Sequence, residues 1–120
     1  MKAKLNNINL VVRDVQRSKD FYIEVLGLED TPRSSPPDFA VLDAGQVTLQ
    51  LQQADGLGES PNPGSVELSF EVEDVAATLQ KLRTAKAQGV SKPKTEPFGS
   101  MFDARDPDGY RLNFYALAKQ

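Results

Sequence analysis

In the run Asn7-Ile8-Asn9-Leu10-Val11-Val12-Arg13-Asp14, apolar side chains occupy every second residue at Ile8, Leu10 and Val12, while Asn7, Asn9 and Val11 take the other face. A period of two belongs to a strand with one buried face, and the spacing predicts that strand over residues 5–12. Asp14 then stands where a helix N-cap accepts a backbone N–H. Beyond it the period changes: Ser18, Phe21, Tyr22, Val25 and Leu26 recur at helical spacing, and Gly27 offers a left-handed stop. A strand followed by a helix, joined through one capping aspartate, is the unit on which the rest of the chain is read.

Downstream, residues 28–30, 39–43 and 47–52 read as three further strands. A Pro/Ser-rich loop over 31–38 separates the first two, and Ala44 and Gly45 turn the last pair. The order is βαβββ. Val12, Asp14 and Val15 are matched 60 residues later by Val72, Asp74 and Val75. The elements recur in the same order: a strand over 66–72, a helix with Val75, Leu79 and Leu82 on its apolar face that stops before Gly89, and strands over 90–95, 98–104 and 110–115. An ungapped match together with a repeated element order marks an internal duplication. Two modules, 1–53 and 65–120, are therefore predicted within a single α+β domain of residues 1–120, joined by a Gly/Pro-rich linker over 54–64.

Composition removes several classes of function. A net charge of −3 with no basic stripe argues against nucleic acid and anionic membranes as partners, and slightly favours a neutral or cationic ligand. Apolar runs are only a few residues long, so neither a signal peptide nor a membrane span is expected and the chain is assigned to the cytoplasm. With no cysteine there is no disulfide framework and no thiolate nucleophile; with no histidine, the commonest metal ligand and neutral-pH acid/base group is missing.

The strand-to-helix run, its continuation through Ser18, Phe21 and Tyr22 into Leu26-Gly27-Leu28, and the segment Asp106-Pro107-Asp108-Gly109-Tyr110 together resemble the glyoxalase, bleomycin-resistance and extradiol-dioxygenase (vicinal oxygen chelate) superfamily. The resemblance covers nearly the whole chain. It implies two βαβββ modules whose curled, antiparallel-type sheets form an open cup, often in a two-chain assembly. In metal-using members, residues on the first and last strands of each module hold a divalent ion. The corresponding positions here are Asn7, Gln50, Glu67 and Asn113. Three amides and one carboxylate are poor donors for zinc or iron, and calcium wants more oxygens and more charge. No metal ligand and no cofactor are expected.

Strand alternation gives the rest of the polar face. Thr48, Gln50 and Gln52 oppose Val47, Leu49 and Leu51; Glu67, Ser69 and Glu71 oppose Leu68, Phe70 and Val72; Arg111, Asn113 and Tyr115 oppose Leu112 and Phe114. By itself this pattern is the wet side of an ordinary sheet. The resemblance makes it a pocket lining, with Asn7, Asn9, Thr48, Gln50, Glu67, Ser69, Arg111, Asn113 and Tyr115 as candidate ligand contacts. Met101, Phe102 and Arg105 border the cup in the family's arrangement, and Phe102 and Arg105 are taken as further candidate ligand contacts. Asp106 to Gly109 reads as a structural hairpin turn, Lys92 and Lys94 as protection of an edge strand, and Gly56 to Gly58 opens no phosphate loop.

The leading expectation is a metal-free protein that sequesters a small polar or cationic molecule, as resistance proteins of the group do. The alternatives are an isomerase or lyase using Glu67 as general base, and a module kept only for pairing with other proteins. With no helix left over to cover the sheet edges, and with dimers usual among the relatives, a homodimer is expected.

Overall fold

Asp14 and Asp74 each start a helix by the same bond: Asp14 Oδ1 accepts the Arg17 N–H at 3.2 Å and Asp74 Oδ1 accepts the Ala77 N–H at 3.0 Å. A computed structural model describes residues 2–54 and 60–118 of the chain, which divides into two compact units, Met1–Pro61 and Asn62–Gln120. The boundary falls within the stretch read as a linker, whose residues 55–59 lie outside the described residues. Its far end is fastened to the second unit: Pro63–Ser65 form a 3-10 turn and the Asn62 N–H donates to the Tyr110 hydroxyl at 3.3 Å. Among the described residues no helix is long and apolar enough to cross a membrane.

The first unit runs β1 (Asn7–Val12), α1 (Val15–Asp20), β2 (Glu29–Asp30), β3 (Phe39–Asp43) and β4 (Thr48–Gln53); the second runs β5 (Glu67–Glu71), α2 (Val75–Thr84), β6 (Lys94–Glu96), β7 (Gly99–Arg105) and β8 (Arg111–Leu117). Each unit is the predicted βαβββ module, and the fold is α+β. The sheet orders are β1-β4-β3-β2 and β5-β8-β7-β6. The sheets are mixed, which corrects the antiparallel expectation: β1 pairs with β4, and β5 with β8, in parallel. The helix returns the chain so that the strand after it runs the same way as the strand before it, and a three-strand meander then lays its last member beside the first.

One face of each sheet is the core. In the first unit Leu10, Val12, Leu42, Leu49 and Leu51 are buried with Val15 and Tyr22 of the helical segment, and α1 packs on β3 and β4. In the second, Phe70, Phe114 and Phe102 stack across three strands with ring centroids 5.6 and 5.0 Å apart, and Leu79 and Leu82 of α2 close that face. Stacked pairs of this kind add about 0.5–1.5 kcal/mol each beyond their buried area.

Three local readings are refined or corrected. The first helix does not stay α: Phe21–Val25 form a π turn, so its close is one residue wide, with the Gly27 N–H donating to Ile23 O at 3.1 Å and the Leu28 N–H to Tyr22 O at 3.0 Å. The second helix stops before Gly89, as expected, and does so five residues short of it. It ends at Thr84, and Lys86 takes the left-handed position at φ 57, because the Ala87 N–H reaches Leu82 O and the Lys86 N–H reaches Arg83 O, each at 3.0 Å. The strand expected over 90–95 begins only at Lys94. Pro93 has no N–H to give a ladder, and before it the Ser91 hydroxyl stands in for a carbonyl, accepting the Asp103 N–H at 2.9 Å.

Candidate functional site

The core takes the even-numbered residues of β1, so β1 and β4 turn Asn7, Asn9, Thr48 and Gln50 to the opposite, polar face. There the side chains form a one-way string of hydrogen bonds. The Thr48 hydroxyl donates to Asn7 Oδ1 at 2.6 Å, Asn7 Nδ2 to Gln50 Oε1 at 3.3 Å, Gln50 Nε2 to Gln52 Oε1 at 3.5 Å, and Gln52 Nε2 to the Asp38 carbonyl at 3.4 Å. All but the first are long and therefore weak. Each amide also keeps a second donor and a second lone pair, and Asn9 has no side-chain partner at all among the described residues. The face is ordered yet has hydrogen-bonding capacity to spare.

The polar face of the second unit is built differently. Glu67 pairs with Arg111 at 3.0 Å, both partly exposed, and Asn113, only 8% exposed, donates to Asp103 Oδ1 at 3.0 Å. Ser69 lies beside Asn113 in the register. Tyr115 shares the face and meets Phe98 edge-on at 6.5 Å. Arg105 shares it too, but its Nη1 is tied to the Gly109 carbonyl at 3.1 Å.

Phe102 does not belong to this face. A step of one residue flips a strand side chain, so Met101, Asp103 and Arg105 accompany Asn113 while Phe102 and Ala104 turn to the core. Phe102 is 1% exposed and stacked on Phe114. Asp103 and Asp43 went unnoticed in the sequence, although alternation through β7 and β3 would have placed both beside Asn113 and Thr48.

Across one end of the first unit's polar face lies a cavity of about 320 Å³, bordered by Asn6, Asn7, Thr31, Arg33, Asp43 and Thr48. The loop that contributes Thr31 and Arg33 is fastened to β3: Thr31 Oγ1 donates to Val41 O at 2.7 Å, the Val41 N–H donates to Ser34 Oγ at 2.8 Å, and Ser34 Oγ donates to Asp30. Asp30 is also held by Lys19 at 2.8 Å. The Lys19 ammonium first, and the Ser34 hydroxyl second, keep its carboxyl below the ordinary carboxylate value. Nothing in the sequence marked Arg33, because its position depends on Ser34 bonding residues across the sheet.

The four positions that hold a divalent ion in metal-using relatives do not fit one here. Asn7 and Gln50 offer two amides that already bond one another. Glu67 is committed to Arg111 and Asn113 to Asp103. Among the described residues no three His, Cys, Asp or Glu side chains cluster as a metal site.

Two βαβββ units, each with a polar sheet face opposite its helix, define a family, and the chain belongs to it: the Glyoxalase/Bleomycin resistance protein/Dioxygenase superfamily, whose pattern matches residues 4–114. The chain is similar to the uncharacterized protein YraH of Bacillus subtilis strain 168, with 28% identity over 95% of this chain and 98% of that one. Among solved structures it is similar in fold to the bleomycin-binding protein of Streptomyces verticillus complexed with copper(II)-bleomycin, at TM-score 0.68 and 21% identity over 98% and 99% of the two chains. It is likewise similar to a lactoylglutathione lyase from Agrobacterium tumefaciens, at TM-score 0.71 and 20% identity over 96% and 94%. The fold is thus shared by a binding protein and an enzyme.

Proposed function

We propose that this protein binds and sequesters a small polar molecule on its amide-rich sheet face, without a bound metal and without turning the molecule over. The observation that carries this reading is the string from Thr48 through Asn7, Gln50 and Gln52, whose long bonds and spare donors and acceptors suit the carbonyl, hydroxyl and amide groups of a ligand. Glu67, the candidate general base, has its carboxylate engaged by Arg111, which favours binding over proton abstraction and makes a neutral polar ligand a better fit than a simple cation. The bleomycin-binding protein of similar fold is a precedent for small-molecule binding on this architecture.

Isothermal titration against a panel of bleomycin-type and other polar natural products tests the reading. Saturable binding that weakens about tenfold in Asn7→Ala or Gln50→Ala is expected, on the loss of one or two hydrogen bonds. Failure of the whole panel to bind, or turnover of a bound member that disappears in Glu67→Gln, would overturn it. The reading extends to assembly. Each four-stranded sheet ends, within its own unit, on two edge strands, β1 and β2 or β5 and β6, and pairing between identical chains is the commonest way to protect such edges. Light scattering at micromolar concentration should report twice the mass of one chain.

A further inference from the structure

The cavity at the end of the first unit's polar face carries two opposite charges, Arg33 and Asp43, and neither has an ion-pair partner among the described residues. Arg33 donates its backbone N–H to Thr31 Oγ1 at 3.3 Å, but its guanidinium has no hydrogen-bond or ion-pair partner among the described residues. The nearest acid along the chain, Asp30, is occupied by Lys19 and Ser34. Asp43 spends one carboxylate oxygen on the Gly45 N–H at 2.8 Å, and its other oxygen has no partner among the described residues. The same cavity is lined by Asn6, Asn7, Thr31 and Thr48, all able to donate and accept, and by Gly45, Gln46 and Val47 of the adjoining turn.

Both charges stand on backbone that is already ordered. Arg33 rides on the loop closed by Thr31 and Ser34 against Val41. Asp43 ends β3 beside a hairpin turn closed by the Ala44 N–H to Val47 O at 3.0 Å. A ligand that meets them does not pay to order a loop. A guanidinium is suited to a carboxylate through paired N–H donors, and the open oxygen of Asp43 is suited to an ammonium.

We infer that this cavity is a subsite for a small zwitterion of the amino-acid type, with the ligand carboxylate on Arg33 and its ammonium on Asp43. The inference rests on the small-molecule reading above and gives the ligand, or one end of it, a chemical class. An amino-acid group on a larger molecule and a free amino acid share this chemistry, and the cavity of about 320 Å³ is near the lower limit for a small-molecule site.

The test is a titration of the full-length, 15N-labelled protein with L-glutamine, N-acetyl-L-glutamine and L-glutaminamide, followed by amide chemical shifts. L-glutamine should shift Asn6, Asn7, Arg33, Gly45 and Thr48 saturably. Each blocked compound should bind about tenfold more weakly, the loss expected when one charged partner is left unpaired. Arg33→Gln should erase the preference for L-glutamine over the amide, and Arg33→Lys should restore part of it. Asp43→Asn keeps an oxygen for the Gly45 N–H, and it should erase the preference over the N-acetyl compound. Absence of shifts at these residues, equal shifts from all three compounds, or unchanged preferences in the variants would overturn the inference. If panel ligands bind at Gln50 while L-glutamine leaves Arg33 and Asp43 unmoved, the zwitterion subsite fails alone. If L-glutamine binds there while the panel does not bind, the broader sequestration reading fails alone.

Discussion

The two units repeat one architecture but tie it together with different chemistry at matching places. Where β1 meets β4, Asn7 faces Thr48 and the two share a neutral hydrogen bond; where β5 meets β8, Glu67 faces Arg111 and the two share an ion pair. Near the far end of these paired strands the difference is larger. Gln53 of the first unit accepts the Val15 N–H at 3.0 Å and donates to Arg13 O at 2.6 Å, stapling the strand-to-helix corner. The second unit has Ala116 in that place and no staple. It compensates at its last turn, where the buried Asp106 accepts the N–H groups of Asp108 and Tyr110 at 2.8 and 3.0 Å. The repeat thus constrains apolar positions and caps, while each copy finds its own way to close corners and is free to vary its wet face.

That contrast can be broken most severely at Asp106. It is 1% exposed, so Asp106→Ala would leave two N–H groups without their acceptor in a dry turn, and urea unfolding should show a loss of about 2–4 kcal/mol. Asp43→Ala, at the equivalent but exposed turn of the first unit, should cost well under half as much. Gln53→Ala comes next. Losing the staple should destabilise the first unit by about 1–2 kcal/mol, whereas Ala116→Gln should bring no comparable gain, and denaturant midpoints of the two variants measure the asymmetry directly.

The helix ends sharpen the comparison further. Gly27 at φ 78 and Lys86 at φ 57 occupy the same left-handed closing position, but the step between them is 59 residues where the caps Asp14 and Asp74 are 60 apart. The π turn at Phe21–Val25 accounts for the extra residue. Only glycine takes that conformation without strain, so Lys86→Gly should raise the melting temperature by the equivalent of about 0.5–1 kcal/mol. Gly27→Ala, with open space where the new Cβ would sit, should lose a similar amount through backbone strain alone.

The smallest effect is electrostatic and confined to the first unit. Asp30 titrates below its ordinary value of 3.8 when folded, chiefly because of Lys19. Its contribution is therefore complete above that value and is lost as pH falls through the lower folded one. As a partly exposed pair open to solvent screening it should be worth roughly a few tenths of a kcal/mol. The difference in stability between wild type and Lys19→Met, measured from pH 6 down to pH 2, should shrink towards zero at the acid end.

The amino-acid sequence by itself determined what is local or periodic. Alternation set the faces of β1, β4, β5 and β8 and the aspartates at 14 and 74 announced both helix starts, because each depends only on neighbours a few residues apart, while the 60-residue match revealed the duplication because a repeat is a periodicity of the chain itself. The substitutions at Asn7, Gln50, Glu67 and Asn113 were proposed from the family resemblance rather than from any local pattern. Tertiary structure decided what depends on partners far along the chain. The parallel pairing of β1 with β4 follows from how the helix returns the chain, and the inward turn of Phe102 follows from the register of β7 against β8. Glu67 is paired with a residue 44 positions away, and Asp30, the acid nearest Arg33 along the chain, is taken by Lys19 and Ser34. No window of sequence contains those distances, since side-chain partnership across a sheet is fixed by register and loop closure rather than by the order of residues.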